Sequence, residues 1–159
     1  MSLSIEPAVP DDVPLVLEFI RELAEYEKLA DRVVATEADL RRWLFGEKPV
    51  AEAVIAREGG TALGFALFFP VFSTFLGRPG IYLEDLFVRE AARGQGVGRA
   101  LLTYLATLAV GRGWGRVEWA VLDWNAPAIA FYRRLGAEVL EHWRVCRLTG
   151  QALERLGRT

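Results

Sequence analysis

The stretch Arg93-Gly94-Gln95-Gly96-Val97-Gly98 has the composition of an anion cradle. Glycines lack a Cβ, so successive backbone N–H groups can turn toward one negatively charged group. An amphipathic helix opens near Arg99. Its first turn would add unsatisfied N–H groups and the positive end of the helix dipole. Arg93 contributes a permanent charge, and a phosphate is the expected guest. A P-loop would need Gly-Lys-Ser/Thr at the end of the stretch, and none is there. A Rossmann fingerprint would need a third glycine where Arg99 stands. Just upstream, Glu84 and Asp85 interrupt the apolar run 81–88. Strand alternation sends them to opposite faces. A carboxylate buried there must find a partner or shift its pKa upward, and either suits a cationic substrate.

Further along stands Asp123-Trp124-Asn125-Ala126-Pro127-Ala128-Ile129-Ala130-Phe131-Tyr132-Arg133-Arg134-Leu135-Gly136-Ala137. Asn125 is a good N-cap for a helix beginning at Ala126. Tyr132 carries a phenol with an ordinary pKa of about 10, still protonated at neutral pH and able to donate. By spacing alone it reads first as a core aromatic beside Phe131.

Taken as Arg-x-x-Gly-x-Gly, the glycine-rich stretch resembles the pyrophosphate loop of the GNAT superfamily of acetyl-CoA-dependent N-acetyltransferases. Asn125, a short helix, Phe131-Tyr132 and Gly136-Ala137 follow that superfamily's second pattern. Glu22-Leu23-Ala24-Glu25-Tyr26-Glu27, Phe45-Gly46-Glu47, Tyr82-Leu83-Glu84-Asp85-Leu86-Phe87-Val88 and Asp123-Trp124-Asn125 resemble its spermidine/spermine branch, which includes thialysine acetyltransferases. The likeness runs from Ile5 to about Leu148.

The resemblance implies an α/β fold of GNAT type: a mixed, mostly antiparallel, twisted sheet flanked by helices, whose central strands splay to bind acetyl-CoA. It implies that the backbone of Leu86, Phe87 and Val88 meets the pantetheine arm and the thioester carbonyl, as an added strand meets an open edge. Arg93, Gly94, Gln95, Gly96, Val97, Gly98 and Arg99 would hold the pyrophosphate. Asn125, Ala126, Pro127, Ala128 and Arg134 would line the rest of the cofactor, although Arg134 alone reads equally as a surface arginine. Tyr132 would touch the cofactor and protonate the departing thiolate, with direct attack by the amine in a ternary complex. Glu84 would face that amine and relay its proton through water, while Asp85 reads as structural. Tyr26, Glu27, Glu84, Asp123 and Glu141 would line the acceptor pocket. A homodimer is also implied, with C-terminal segments contributing to the partner's surface.

Three departures bear on the acceptor. The polyamine branch carries Asp-Pro-Trp where this chain has Ser73-Thr74-Phe75, so the acid is missing. Its basic residue in the first strand is Glu6 here, and the segment 138–142 is shorter. They leave the acetyl-CoA half intact and open the acceptor to a diamine or a lysine-analogue side chain as well as a polyamine. Rival readings are another acceptor (an amino acid, an antibiotic amine, a protein N-terminus) or a non-catalytic acyl-CoA sensor. Retention of Tyr132 and Glu84 argues against the sensor.

The elements that must position these residues follow from periodicity. Strands are expected at 4–8, 51–57, 62–72, 80–88, 115–122 and 137–148. Helices are expected after Asp11 or Asp12, with Pro14 in the first turn, and from a capping box at Thr36 through Trp43. Two more are expected over 97–112, stopped by Gly111 or Gly113, and over 126–135. With 159 residues, 52% of them apolar, the chain is expected to form a single domain, 1–159. A net charge of −2 argues against binding nucleic acid through a basic surface. No run approaches the ~18 apolar residues of a membrane span, and no signal peptide is apparent. One cysteine, Cys146, and one histidine, His142, support neither a disulfide nor a metal cluster, so the expected setting is cytoplasmic and metal-free.

Overall fold

The computed structural model describes residues 2–158; Met1 and Thr159, the ends of the expected domain, lie outside the described residues. The described backbone gathers into two compact units, divided between Ala120 and Val121.

In the first unit a strand (β1, Leu3–Pro7) leads to two helices (α1, Val13–Tyr26; α2, Glu37–Phe45). Three strands (β2, Glu52–Glu58; β3, Thr61–Ser73; β4, Arg78–Val88), a helix (α3, Val97–Arg112) and a short strand (β5, Val117–Glu118) follow. The strands make one sheet in chain order, antiparallel from β1 to β4 and parallel between β4 and β5. This is the mixed, mostly antiparallel sheet the sequence predicts.

Val54, Ile55 and Ala56 of β2, and Phe65, Ala66, Leu67 and Phe68 of β3, are buried in succession. A strand buried on both faces reads as such a run instead of alternating. One face carries Ile55, Phe65, Leu67 and Phe87 into a core with Val16, Phe19, Leu23 and Leu40 from α1 and α2. There the Phe19 ring stacks on Phe65 at 5.1 Å. The other face meets α3, whose Leu101 and Leu105 are fully buried.

Asp12 stands at the N-cap position of α1, as expected, but its carboxylate makes no cap bond. It accepts from the Val9 N–H at 2.9 Å and pairs with Arg57 at 2.7 Å. It therefore closes the turn before α1 and ties that turn to β2. The box at Thr36 forms as expected: Thr36 Oγ1 accepts from the Asp39 N–H at 3.2 Å, and Asp39 Oδ2 accepts from the Thr36 N–H at 2.9 Å. Thr36→Ala should cost about 1 kcal/mol in a urea unfolding experiment, with no change in the slope against denaturant.

Two strand expectations are corrected. Only Val117–Glu118 of the expected strand 115–122 joins the sheet, opposite Ile81 and Tyr82. The expected strand 137–148 makes no ladder among the described residues. Its alternation is real, but a strand needs an edge to pair with. The second unit instead contains a helix (α4, Ala126–Arg134), irregular chain, and a helix that the periodicity does not predict (α5, Gly150–Gly157). Among the described residues no helix is long and apolar enough to cross a membrane.

Candidate active site

In the first unit the candidate site residues gather at the end of β4. β5 pairs with β4 only at Ile81 and Tyr82, so the β5-side edge of residues 83–88 has no partner strand among those described. On the other edge Leu86, Phe87 and Val88 face Ala66, Phe65 and Gly64 of β3. This is the open edge expected for the backbone of Leu86, Phe87 and Val88.

The register between β3 and β4 shifts in the middle of this stretch. Phe68 faces Leu83 and Leu67 faces Asp85, which leaves Glu84 as the extra residue of a bulge. Paired residues share a face, so Asp85 joins Leu67, Phe65 and Phe87 on the side of α1. Simple alternation, which assigns Glu84 and Asp85 to opposite faces, is interrupted here. Glu84 is exposed and Asp85 half-buried. Burial pushes the Asp85 carboxyl up to about 7, and the charges of Glu84 and Glu27 push in the same direction. Glu27, the residue after α1, is itself raised by burial. Tyr82 is raised by burial and then by the nearby charges of Glu84 and Glu118. The structure thus brings Glu27, Glu84 and Asp85 together. Asp85, read from sequence as structural, carries the carboxyl raised to about 7. Only the register shift reveals it, and that depends on pairing with a distant strand.

The glycine-rich loop follows. Arg89 anchors its start by pairing with Glu18 at 2.8 Å and Glu22 at 3.3 Å, with its guanidinium over the Phe19 ring at 4.6 Å. Gly94 and Gly96 take φ of 78° and 84°, a region closed to most side chains. Gly96 is the N-cap of α3, so no side chain caps that helix, and no acid occupies its first turn. The first-turn N–H groups and dipole are therefore left for an anion. These features fit the pyrophosphate of acetyl-CoA. Val97 is buried, while Gln95 and Arg99 are exposed and Gly98 half-buried. Arg93 turns from the loop toward α1. Its Nε donates to the Val88 carbonyl at 3.0 Å, and its guanidinium lies 4.9 Å from the centre of the Tyr26 ring.

The second unit holds the remaining expected residues. Asn125 is buried and caps α4, its Oδ1 accepting from the Ala128 N–H at 3.4 Å. Pro127 occupies the first turn and Ala126 opens the helix. Tyr132 is half-buried, its ring 5.6 Å from that of Phe131. Arg134 and Asp123 are exposed. Glu141 pairs with Arg133 at 3.6 Å on the surface. No group of His, Cys, Asp and Glu able to hold a metal occurs among the described residues.

The sequence matches the family described as acetyltransferase (GNAT) over residues 17–137. It is 39% identical to a thialysine N-epsilon-acetyltransferase of Sus scrofa, over 98% of this chain and 97% of that protein. It is 36% identical to L-ornithine N5-acetyltransferase of Arabidopsis thaliana, over 96% of this chain and 86% of that one. An integron cassette protein from the mobile metagenome of V. cholerae superposes with a TM-score of 0.83 at 32% identity, over 100% of this chain and 99% of that one.

Proposed function

This chain belongs to the GNAT acetyltransferase family, and from that premise we propose that it acetylates the terminal primary amine of a small molecule such as a lysine analogue, ornithine or a short diamine. The observation that carries the acceptor is the group Glu27, Glu84 and Asp85 beside the open edge of β4. A primary amine of this kind is an ammonium at neutral pH, with a pKa of ~10.4, and must be bound as a cation and then lose a proton. Acidic side chains serve both needs. The named activities of the thialysine and ornithine relatives fall in the same class.

Acetyl-CoA supplies the activated acyl group as a thioester. The open edge of residues 83–88 orients it, and the Gly94–Gly96 loop with the N-terminus of α3 holds its phosphates. Glu84, exposed on the bulge, accepts the amine's proton through water. Tyr132 donates to the departing thiolate, and Asn125 keeps α4 in place for it. The two units act as one acetyltransferase domain, a reading supported by the family match running across both.

A shorter acceptor than spermine is favoured by Ser73. Ser73 stands where the polyamine branch has its acid. It is buried, and its Oγ accepts from the Leu76 N–H at 3.1 Å, closing the β3–β4 turn. It serves the turn and offers no charge to a distal ammonium. A homodimer fits the apolar residues that the second unit leaves exposed, Trp143, Val145, Leu153 and Leu156 among them. A cytoplasmic setting fits the free, exposed thiol of Cys146.

Thiol release from acetyl-CoA tests the proposal against thialysine, lysine, ornithine, putrescine, spermidine, spermine and an aminoglycoside. The side-chain amines and putrescine should exceed spermine in kcat/KM by about tenfold, the equivalent of ~1.4 kcal/mol. Preference for spermine would overturn the Ser73 argument. Silence across the panel with acetyl-CoA still bound in calorimetry would favour the sensor.

A further inference from the structure

We propose that Arg93 is a positioning residue for the acceptor side of the site: it clasps Tyr26, and through it Glu27, instead of pairing with a cofactor phosphate. This goes beyond the motif reading, in which the first residue of Arg-x-x-Gly-x-Gly adds charge to the anion loop, and it rests on the acceptor role given above to Glu27.

Three groups occupy the Arg93 side chain. Its Nε donates to the Val88 carbonyl at 3.0 Å, which ties the stem to the end of β4. Its guanidinium lies 4.9 Å from the Tyr26 ring centre and 5.5 Å from that of Phe87. A planar cation held by a carbonyl at its edge and by aromatic rings within about 6 Å is in a cation–π arrangement.

Tyr26 is the last residue of α1 and Glu27 its C-cap. Beyond them Lys28 takes a left-handed φ of 63°, and the Leu29 N–H returns to the Ala24 carbonyl at 2.8 Å. The helix end is therefore a tight backbone turn in which Glu27 directly follows the Tyr26 that Arg93 holds. Arg89 shows the same device one turn of connection earlier, over Phe19 and bonded to Glu18 and Glu22. Two arginines of the β4–α3 connection thus staple α1 at its middle and at its end.

The anion loop does not need the Arg93 charge. Gly94 and Gly96 turn their backbone through positive φ, and α3 presents an uncapped N-terminus. Arg99, exposed in the first turn of α3, remains there as a cation. Arg93 accordingly links the cofactor loop to the acceptor acids.

The test uses the full chain and the variants Arg93→Ala, Tyr26→Leu, Tyr26→Phe and Arg93→Ala with Tyr26→Leu. The readouts are the KM of the amine, the calorimetric Kd of acetyl-CoA, and hydrogen exchange at the amides of Glu27, Lys28 and Leu29. Arg93→Ala should raise the amine KM by about fivefold, the size expected for one exposed cation–π contact. The acetyl-CoA Kd should move by less than about twofold, while exchange at the three amides speeds up. Tyr26→Leu should give the same exchange pattern, Tyr26→Phe should restore protection because it keeps the ring, and the double variant should be no worse than either single one. A loss of acetyl-CoA affinity of about tenfold in Arg93→Ala, with exchange unchanged, would overturn the proposal and return Arg93 to the phosphate. Because exchange and cofactor affinity need no acceptor, they decide the role of Arg93 even if every amine in the panel is inert.

Discussion

Tyr132→Phe should lower kcat by about a hundredfold while leaving the Kd of acetyl-CoA unchanged. A thiolate leaving from CoA needs a proton, and a positioned general acid contributes at least this much to such a step. The phenol of tyrosine is protonated at neutral pH and within the range from which a thiolate can be quenched. Phenylalanine removes the hydroxyl and its proton. It keeps the ring against Phe131, 5.6 Å away, and leaves the Asn125 cap and Pro127 of α4 untouched. A fall in kcat therefore cannot be charged to loss of the helix. Steady-state kinetics with acetyl-CoA, calorimetry on the same variant, and a parallel series with an acetyl thioester of a more acidic thiol check the assignment. The acidic leaving group needs less protonation, so the variant should recover much of its deficit with it. A drop of less than about threefold, or no recovery with the acidic thiol, would remove Tyr132 from the proton path.

What could be read from the sequence was what local chemistry dictates. Gly94 and Gly96 announce the turn into α3 because positive φ demands glycine. Thr36 and Asn125 announce helix starts because their side chains cap N–H groups two or three residues ahead. Long-range pairing decided the rest. The bulge at Glu84 comes from a slip between β3 and β4, and no pattern within β4 encodes it. β5 is confined to Val117–Glu118, opposite Ile81 and Tyr82, a limit set by pairing with a distant strand and not by its own alternation. Residues 137–148 alternate as a strand does, yet find no edge among the described residues, and Trp143 and Val145 stay exposed. α5 escapes prediction because its stripe of Leu153 and Leu156 is short and lies beyond the motifs. The direction taken by Arg93 is likewise a tertiary choice, set by the Tyr26 ring arriving from α1.

Asp85→Asn should stabilise the protein at about pH 8 by ~2 kcal/mol and yet cost about tenfold in kcat/KM for the amine. The sign follows from proton binding. Burial, then Glu84 and Glu27, hold the folded-state carboxyl up to about 7, against an ordinary value of 3.8. Between those two values the folded chain binds more protons than the unfolded one, so stability falls as pH rises, from about pH 4 until the folded group has ionised above about pH 7. Each tenfold gain in proton affinity on folding corresponds to ~1.4 kcal/mol, and partial solvent access reduces the full span to roughly half. Asparagine has the same shape and no charge, so the variant should match the parent near pH 4 and exceed it at pH 8. Urea midpoints at the two pH values check this, and parallel curves would mean that Asp85 is not strained by its neighbours. An ammonium seated beside Glu27, Glu84 and Asp85 would relieve the repulsion among the three acids. The carboxylate that weakens the free protein should therefore strengthen its complex with the amine. If Asp85→Asn gains stability at high pH and loses nothing in kcat/KM, the strain has no link to the acceptor and the cation must be bound elsewhere.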